Sequence, residues 1–248
     1  MRRLVGGEDL ADPLAPYAAV ERHGPAGRPW VLANMVAGLD GSAAAGGRVA
    51  GLSDDVDREL FRLLRSLADV VMVGAETVRR ERYGPVRLPD DRRAARVAAG
   101  RPAVPRLAVV SRSLAFDLAG RAFVDADPEA RTLVVTCEAS DPQRRAEVAE
   151  VADLVVAGGE RVDPATALTA LAGLRVGIVL CEGGPALLGE LVDADLLDEL
   201  CLTLSPVMGG DALPVAVSSG GPDLARFRLG HALAAGSTLF LRYERDRG

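Results

Sequence analysis

Short apolar runs alternate along the chain with segments in which apolar residues recur every three or four positions. The short runs are typical of buried strands, and the longer period is typical of one face of a helix. Strands alternating with helices predict an α/β fold with a largely parallel sheet, in which ligands bind beyond the carboxyl ends of the strands. The predicted strands lie near Val31–Ala37, Val70–Val73, Leu107–Ser111, Leu133–Thr136, Leu154–Ala157, Val176–Cys181, Leu200–Leu204 and Thr238–Glu244.

Helix-start signals stand before several of the helical segments. Ser53 precedes the clearest of them and is predicted to be its N-cap, with two aspartates in the first turn. Asp163 followed by Pro164 predicts a second helix start, and Pro185 predicts a third. The apolar face of the first helix is carried by Val56, Leu60, Leu63, Leu64 and Leu67.

Two stretches depart from this rhythm. Residues 1–28 are rich in glycine, proline and alanine and are predicted to form an N-terminal arm, while residues 29–248 are predicted to form a single domain. Residues 79–106 contain nine arginines against three acidic residues, a local charge of 9 − 3 = +6. A solvated basic face and a phosphate-gathering loop both account for this charge, and residues 90–99 could form a short exposed helix.

The chain contains no lysine, so all 29 positively charged side chains are arginines. Schiff-base lysine chemistry, P-loop NTPases and protein kinases are therefore excluded, because each depends on a lysine. Any phosphate that this protein binds must be held by arginine or by backbone N–H groups at helix starts.

The remaining composition predicts a cytoplasmic protein with no metal site, no nucleic-acid partner and no membrane partner. The 35 acidic residues give a net charge of −6, and aromatic residues are only 4%, whereas nucleic-acid surfaces need basic patches and stacking rings. The three cysteines lie far apart, without a zinc or disulfide spacing, and there are only two histidines. No uncharged apolar run approaches the length of a membrane span.

Two predicted strands run through glycine into a helix. The first junction is Gly74-Ala75-Glu76-Thr77-Val78, and the second is Glu182-Gly183-Gly184-Pro185. Glycine lets the backbone approach a ligand closely, and the helix start adds N–H groups and a positive dipole end. A plain tight turn explains the second junction equally well, and the first is weak evidence when taken alone.

A third strand, through Asn34 and Met35, runs into Asp40-Gly41. Asp-Gly is a common turn pair, so an ordinary turn is the simpler interpretation. The alternative is a carboxylate at the carboxyl end of a strand, where it could donate a proton or stabilise a positive intermediate.

Taken together and in order, these motifs resemble the pyrimidine reductase family of riboflavin biosynthesis, in a stand-alone actinobacterial type. The resemblance extends from about Pro29 to Glu244, most of the chain. The matching stretches are Asn34-Met35-Val36-Ala37-Gly38-Leu39-Asp40-Gly41, Gly74-Ala75-Glu76-Thr77-Val78, Glu182-Gly183-Gly184-Pro185-Ala186-Leu187, Leu197-Asp198-Glu199-Leu200 and Ser205-Pro206-Val207-Met208-Gly209-Gly210.

The resemblance implies a dihydrofolate-reductase-like fold, a three-layer sandwich with helices on both faces of a mostly parallel central sheet. It implies NADPH as the hydride donor, Asp40 as the catalytic carboxylate, and a homodimer. The substrate would be contacted by Asn34, Met35, Ser205 and Pro206. The cofactor would be contacted by Ser53, Gly74, Ala75, Thr77, Val78, Glu182, Gly183, Gly184, Pro185 and Leu187.

The expected reaction is hydride transfer to C1′ of an opened ribose imine on a phosphoribosylamino-pyrimidine, of the 5-amino-6-(5-phosphoribosylamino)uracil reductase type. Two departures from the family pattern leave alternatives open. Gly38 stands where the family carries serine, and Arg80–Pro85 replaces the usual aspartate and proline after Thr77. A dihydrofolate reductase-like pterin reductase and a non-catalytic NADPH-binding protein are the other hypotheses.

Overall fold

The computed structural model describes residues 2–4, 9–12, 14–218 and 224–248. Its strands are β1 (Arg2–Arg3), β2 (Trp30–Ala37), β3 (Val70–Gly74), β4 (Arg106–Val110), β5 (Leu133–Thr136), β6 (Asp153–Val156), β7 (Ile178–Cys181), β8 (Glu199–Leu204), β9 (Phe227–Ala235) and β10 (Thr238–Arg245). Its helices are α1 (Ala15–Ala18), α2 (Asp55–Leu67), α3 (Ala75–Glu81), α4 (Asp90–Ala98), α5 (Arg121–Val124), α6 (Pro142–Val151), α7 (Pro164–Gly173) and α8 (Pro185–Asp193).

The chain divides into two compact units, each assembled from separated segments. Unit 1 comprises Met1–Arg22, Val31–Leu64 and Glu182–Gly248, and unit 2 comprises His23–Trp30 and Arg65–Cys181. Each unit therefore draws together residues that are distant in the sequence.

Unit 2 contains a parallel sheet in the order β7-β3-β4-β5-β6. All four residues of β5 are buried, as are the first four of β3, which is why these strands are continuous apolar runs rather than alternating ones. Asp163 caps α7 by accepting the Thr166 N–H, with Pro164 in the first turn, as predicted.

In unit 1 the strand order is β1-β9-β10-β8-β2. Strands β2 and β8 are parallel, and β10 extends the sheet by antiparallel pairing with β8 and β9. The predicted α/β class with a mostly parallel sheet is thus confirmed, and the eight predicted strands are all present.

Sequence reasoning missed β9 and β1. The sequence of β9, Phe-Arg-Leu-Gly-His-Ala-Leu-Ala-Ala, carries a glycine and several alanines, which have low strand propensity. Its pairing with β10 along eight register positions makes it a strand. Strand β1 has only two residues and depends on its pairing with Ala234 and Leu233 of β9.

The predicted N-terminal arm is not irregular throughout. Its residues 1–22 contain β1 and α1 and belong to unit 1, whereas residues 23–28 belong to unit 2. The Tyr17 side chain is fully buried, and the Arg22 guanidinium forms a bidentate ion pair with the buried Glu199, with both N···O distances 2.8 Å. Tyr17 and Arg22 are therefore part of the core of unit 1.

The basic stretch 79–106 is partly helical. It includes the end of α3 and the whole of α4, in agreement with the short helix considered for residues 90–99. Arg96 is buried and donates to the carbonyls of Ser66, Ala68 and Pro102, and burial lowers its pKa to about 10. Arg101 pairs with Asp69 at 2.6 Å. Several of these arginines therefore hold unit 2 together.

The prediction that Ser53 caps α2 is wrong, because the carboxylate of Asp54, one residue later, accepts the Asp57 N–H at 2.8 Å.

Within the described ranges no helix has the length and apolar character needed to cross a membrane.

Candidate active site

Beyond β2, two loops of unit 1 are joined by backbone hydrogen bonds. The Leu39 N–H donates to the Val207 carbonyl at 2.8 Å, and the Asp211 N–H donates to the Ala44 carbonyl at 2.8 Å. Asp40 adds a side-chain connection, since its carboxylate accepts the Ser42 N–H at 3.1 Å and the Gly209 N–H at 2.7 Å. The loop after β2 and the loop after β8 thus form one structure around Asp40.

The Asp40 carboxylate is exposed and ionised. Hydrogen bonds from the backbone N–H of Gly209, and then of Ser42, hold the pKa of Asp40 below its ordinary value. A carboxylate in this state suits the stabilisation of positive charge better than proton donation at neutral pH. The structure therefore favours one of the two roles that the sequence left open.

Gly38 departs from the family pattern for a steric reason. A Cβ atom at this position would lie 2.9 Å from Oδ1 of Asp40 and 2.9 Å from the carbonyl oxygen of Val207. The Gly38 N–H also donates to the Ser42 carbonyl at 2.9 Å, so the backbone here is constrained. In this loop conformation a serine at position 38 would force the two loops apart.

Asn34 and Met35 are neighbours on β2, and successive side chains of a strand point to opposite faces. Asn34 is paired in register with Cys201 and Met35 with Leu202. Met35 lies beside Gly183. A Cβ atom placed on Gly183 would be 3.5 Å from the Met35 methyl carbon. The buried Oδ1 of Asn34 has no hydrogen-bond partner within the described residues. A substrate on one face of β2 could contact only one of these two side chains.

The other predicted substrate residues follow β8. The Ser205 N–H donates to the Ala37 carbonyl at 2.8 Å, and the Ser205 side chain is buried. Pro206 is exposed. Both residues therefore lie beside the end of β2, next to the loop that carries Asp40.

The Glu182–Leu187 stretch leads into α8. Gly184 is the N-cap of this helix, so no capping side chain accepts hydrogen bonds from the N–H groups of the first turn. Pro185 lies in that first turn. Gly183 has a φ of +83°, which favours glycine, and the Gly183–Gly184 peptide bond is cis. Glu182 and Leu187 are buried. The uncapped helix start provides backbone donors for an anion.

The Gly74–Val78 stretch repeats this arrangement in unit 2. Gly74 is the N-cap of α3, again without a side-chain hydrogen bond. Ala75 and Val78 are buried and anchor the helix, while Thr77 is partly exposed. Aspartates cap α2, α6 and α7, whereas α1, α4 and α5 also lack a side-chain cap, and α5 has the glycine Gly120 as its N-cap. The helices at the two predicted cofactor junctions thus begin at glycine.

One buried carboxylate was missed by sequence reasoning. Asp57 on α2 accepts the Ser53 hydroxyl at 2.5 Å and the Thr203 hydroxyl at 2.6 Å. Burial raises the pKa of Asp57, and these two hydrogen bonds offset part of the effect. Its spacing with Leu60 and Leu64 on the buried face of α2 was the available signal. Ser53, a predicted cofactor contact, is therefore bonded within unit 1.

No cluster of three or more histidine, cysteine or carboxylate side chains that could bind a metal ion occurs among the residues described.

A family model for the RibD C-terminal domain matches residues 29–241, most of the chain. The chain belongs to the RibD C-terminal domain family. This result confirms the resemblance inferred from the order of the motifs.

Relatives of the RibD C-terminal domain family match over nearly their whole length. The chain is 30% identical over 223 residues to a 2,5-diamino-6-ribosylamino-4(3H)-pyrimidinone 5′-phosphate reductase of Methanothermobacter thermautotrophicus, covering 87% of this chain and 98% of the relative. It is 30% identical over 203 residues to a protein of the same name from Archaeoglobus fulgidus, covering 82% and 91%.

A solved structure agrees with this family assignment. A pyrimidine reductase-like protein of Corynebacterium diphtheriae superposes with a TM-score of 0.81 at 29% identity, covering 96% of each chain. The protein is therefore an oxidoreductase of the pyrimidine reductase family in riboflavin biosynthesis, as predicted. Reduction by this family implies a nicotinamide cofactor and a small-molecule substrate.

Proposed function

We propose that this protein is an NADPH-dependent reductase of a ribosylaminopyrimidine 5′-phosphate, converting the ribosyl group to a ribityl chain. The observation that carries the proposal is the 30% identity to two reductases of such a substrate, over 98% and 91% of their lengths. The carboxylate and the glycine-capped helix starts predicted from the motifs support it, because they supply charge stabilisation and phosphate donors.

The residues of the chain would bind, orient and stabilise charge. The backbone N–H groups at the start of α8, in the stretch 182–187, would bind a cofactor phosphate. The stretch 74–78 of unit 2 is the other predicted cofactor contact, with its own N–H groups at the start of α3. NADPH, when bound, supplies the hydride. Asp40 would stabilise the positive charge of the open-chain iminium while C1′ accepts that hydride, leaving a ribitylamino product.

The test is a substrate comparison with the purified protein. NADPH oxidation at 340 nm is followed with three compounds: the 2,5-diamino-pyrimidinone named for the relatives, the deaminated 5-amino-uracil analogue, and dihydrofolate. We expect turnover of a ribosylaminopyrimidine, and mass spectrometry should show a product that has gained two hydrogens. The ratio of kcat/KM for the first two compounds would identify the natural substrate.

Two results would overturn the proposal. Turnover of dihydrofolate with neither pyrimidine reduced would identify a pterin reductase. NADPH binding by calorimetry, without oxidation in the presence of any of the three compounds, would identify a binding protein. A boiled sample and a sample without substrate control for non-enzymatic loss of NADPH.

We also propose that the protein is a homodimer, with one sheet face of unit 1 at the interface. Strands β8 and β10 place apolar side chains opposite one another along this face, and each of them is partly exposed. The register pairs are Leu204 with Leu239, Leu202 with Leu241, and Leu200 with Tyr243. A continuous apolar sheet surface of this kind favours association with a second surface.

A charge on this face is expected to separate the dimer. Leu241→Glu would bury a carboxylate without a partner in the interface, which is strongly unfavourable. Light scattering should show a fall from twice the chain mass of 25.9 kDa to the mass of one chain. Leu174→Glu, at an exposed position in unit 2, is the matched control and should leave the mass unchanged. A wild-type protein with the mass of a single chain would refute the proposal.

A further inference from the structure

A cavity of about 350 Å³ lies at one edge of the unit 2 sheet. Val104 and Pro105 line it immediately before β4 begins, and Pro128 and Ala130 line it shortly before β5 begins. Because β4 and β5 are parallel, both positions lie at the amino edge of the sheet. Strand β3 is parallel to β4 as well, so the glycine junction after β3 lies at the opposite edge.

The length of the strands separates this cavity from the glycine junction. Strand β4 has five residues and a strand rises about 3.3 Å per residue, so the two edges of the sheet are about 15 Å apart. The residues that line the cavity all belong to unit 2, and none of them is among the predicted substrate or cofactor contacts. The cavity is therefore separate from the candidate active site.

The inner surface of the cavity is apolar, and its backbone is restricted. Val86 and Leu88 are buried and contribute apolar side chains. Three lining residues are prolines, whose ring fixes the backbone φ angle: Pro85, Pro105 and Pro128. Ligand pockets commonly have apolar walls, a few placed polar groups and a volume of about 300 Å³ or more. The cavity thus has the size and the lining of a site for a small molecule.

Four charged side chains complete the lining, two arginines and two aspartates. Arg87 and Asp125 lie 3.9 Å apart, and Asp125 also pairs with Arg121 of α5 at 3.1 Å. The charge of Asp125 is therefore neutralised within the protein. The other arginine and the other aspartate are left as the groups that could bind a ligand.

These two residues are Arg93 of α4 and Asp127, and both are exposed. Neither forms an ion pair within the described part of the chain, so their charged groups are more than 4.0 Å apart. Asp127 accepts the Glu129 N–H at 2.9 Å through one oxygen, which orients the carboxylate and leaves the other oxygen for a second donor. A cation and an anion thus line the same cavity without neutralising one another.

The charges and the apolar wall together indicate the class of ligand. The lining carries two positive and two negative side chains, so it favours a ligand without net charge. A ligand with one anionic and one cationic group would pair with Arg93 and Asp127 at once, which a singly charged molecule cannot do. An apolar group of the ligand would gain affinity by burial against Val86 and Leu88.

We propose that this cavity binds a small zwitterion with an apolar body, of the class of the apolar α-amino acids. The carboxylate of the ligand would pair with the Arg93 guanidinium, and its ammonium group would donate to the Asp127 carboxylate. Its side chain would pack on Val86 and Leu88. The inference goes beyond the proposed reductase function, because it assigns a second ligand site at the amino edge of the unit 2 sheet.

The test is a titration of ¹⁵N-labelled protein with L-leucine and with L-phenylalanine, followed by NMR. We expect saturable shifts of amide signals from residues 86–88 and 125–130. Three comparison compounds each lack one feature: 4-methylpentanoate the ammonium group, 3-methylbutylamine the carboxylate, and glycine the apolar body. Each should bind at least about 10-fold more weakly than L-leucine, because charge-assisted hydrogen bonds and apolar burial contribute on this scale.

Arg93→Gln and Asp127→Asn each remove one charge at an exposed position. Asparagine retains an oxygen that can accept the Glu129 N–H. Each variant should bind L-leucine at least about 10-fold more weakly than the wild type. Asp117→Asn is the matched control, because Asp117 is exposed, accepts the Ala119 N–H at 2.9 Å and does not line the cavity. It should bind L-leucine like the wild type.

Absence of saturable binding of both amino acids by the wild type would overturn the inference. Equal affinities for L-leucine and its singly charged analogues, or for the wild type and the two cavity variants, would overturn it as well. The amide spectrum of each variant reports its fold, and the comparison compounds test the same two contacts in the unaltered protein. NADPH oxidation is not part of the measurement, so the outcome is independent of the reductase function.

Discussion

Asp40→Asn is expected to lower kcat about 100-fold while leaving the affinity for NADPH unchanged. The substitution preserves the size of the side chain and removes the negative charge that would stabilise the iminium. Single electrostatic contributors of this kind are typically worth 10²- to 10³-fold in kcat, about 3–4 kcal/mol. Stopped-flow measurement of NADPH oxidation separates the chemical step from binding.

A structural effect of the same substitution has to be distinguished, because Asp40 also joins two loops. Asparagine would turn an NH₂ group toward the N–H of either Ser42 or Gly209, and one hydrogen bond would be lost. Asp211 provides the control, since its carboxylate accepts the Gly46 and Gly47 N–H groups at 3.0 and 2.7 Å in the same pair of loops. We expect Asp211→Asn to reduce kcat far less. Equal losses in the two variants would show that Asp40 acts through loop structure alone.

The pH dependence provides a second readout for Asp40. Because its pKa is lowered, the carboxylate stays ionised as the pH falls through the ordinary range of an aspartate, near 4. The kcat of the wild type should therefore not decline through protonation of Asp40 until the pH is below that range. A decline centred at neutral pH that disappears in Asp40→Asn would contradict the assigned state.

Glu199→Gln is expected to lower the free energy of unfolding by about 3–5 kcal/mol. Glu199 is fully buried and accepts hydrogen bonds from Arg22 and Arg242, with N···O distances of 2.8 Å. Glutamine would remove the charge that neutralises the buried Arg22 and would leave Arg242 with Glu244 alone, and it would turn an NH₂ group toward one of the two guanidinium groups. Urea unfolding followed by circular dichroism measures the difference.

Glu244→Gln is the matched control for this prediction. Glu244 pairs with the same Arg242 at 2.6 Å and with Arg228 at 2.8 Å, but its side chain is 29% exposed. Pairs that remain in contact with water contribute at most about 1 kcal/mol, so the loss should be correspondingly small. The prediction fails if the two variants are equally destabilised.

The direction in which the free energy of unfolding changes with pH follows from the pKa of Glu199. Burial by itself would raise this pKa, but hydrogen bonds and charge from Arg22, and then from Arg242, outweigh burial and lower it below the ordinary glutamate value of 4.5. The stabilisation is therefore present in full above pH 4.5 and is lost as the pH falls through the lowered pKa of the folded state. Glu199→Gln should remove this part of the acid sensitivity.

The sequence predicted the strands of unit 2 well because their signal is local. Strands β3 and β5 are short runs of consecutive apolar residues, bounded by glycine or by polar residues, and such runs can be recognised without knowing what they pack against. The same holds for the start of α7, where aspartate and proline act within one turn. The family followed from motifs whose order along the chain is itself sequence information.

The structure was needed wherever a role depends on a distant partner. Ser53 was predicted to cap α2 because serine is a good N-cap residue, but Asp54 occupies that position and Ser53 bonds Asp57 instead. Strand β9 lacks strand propensity and forms because β10 offers it backbone partners. The arginines of residues 79–106 predicted either a solvated basic face or a phosphate-gathering loop, but Arg96 is buried against backbone carbonyls.

By itself, then, the sequence determined the α/β class, the positions of eight strands, the glycine junctions, the Asp40 turn and the family. Only the tertiary structure decided that Asp40 is an anion held by backbone donors and that Arg22 joins Glu199. The physical reason is the separation along the sequence over which each interaction acts. Periodicity and capping act over a few residues, whereas Arg22 and Glu199 are 177 positions apart and Asp57 and Thr203 are 146 apart, so only packing brings them together.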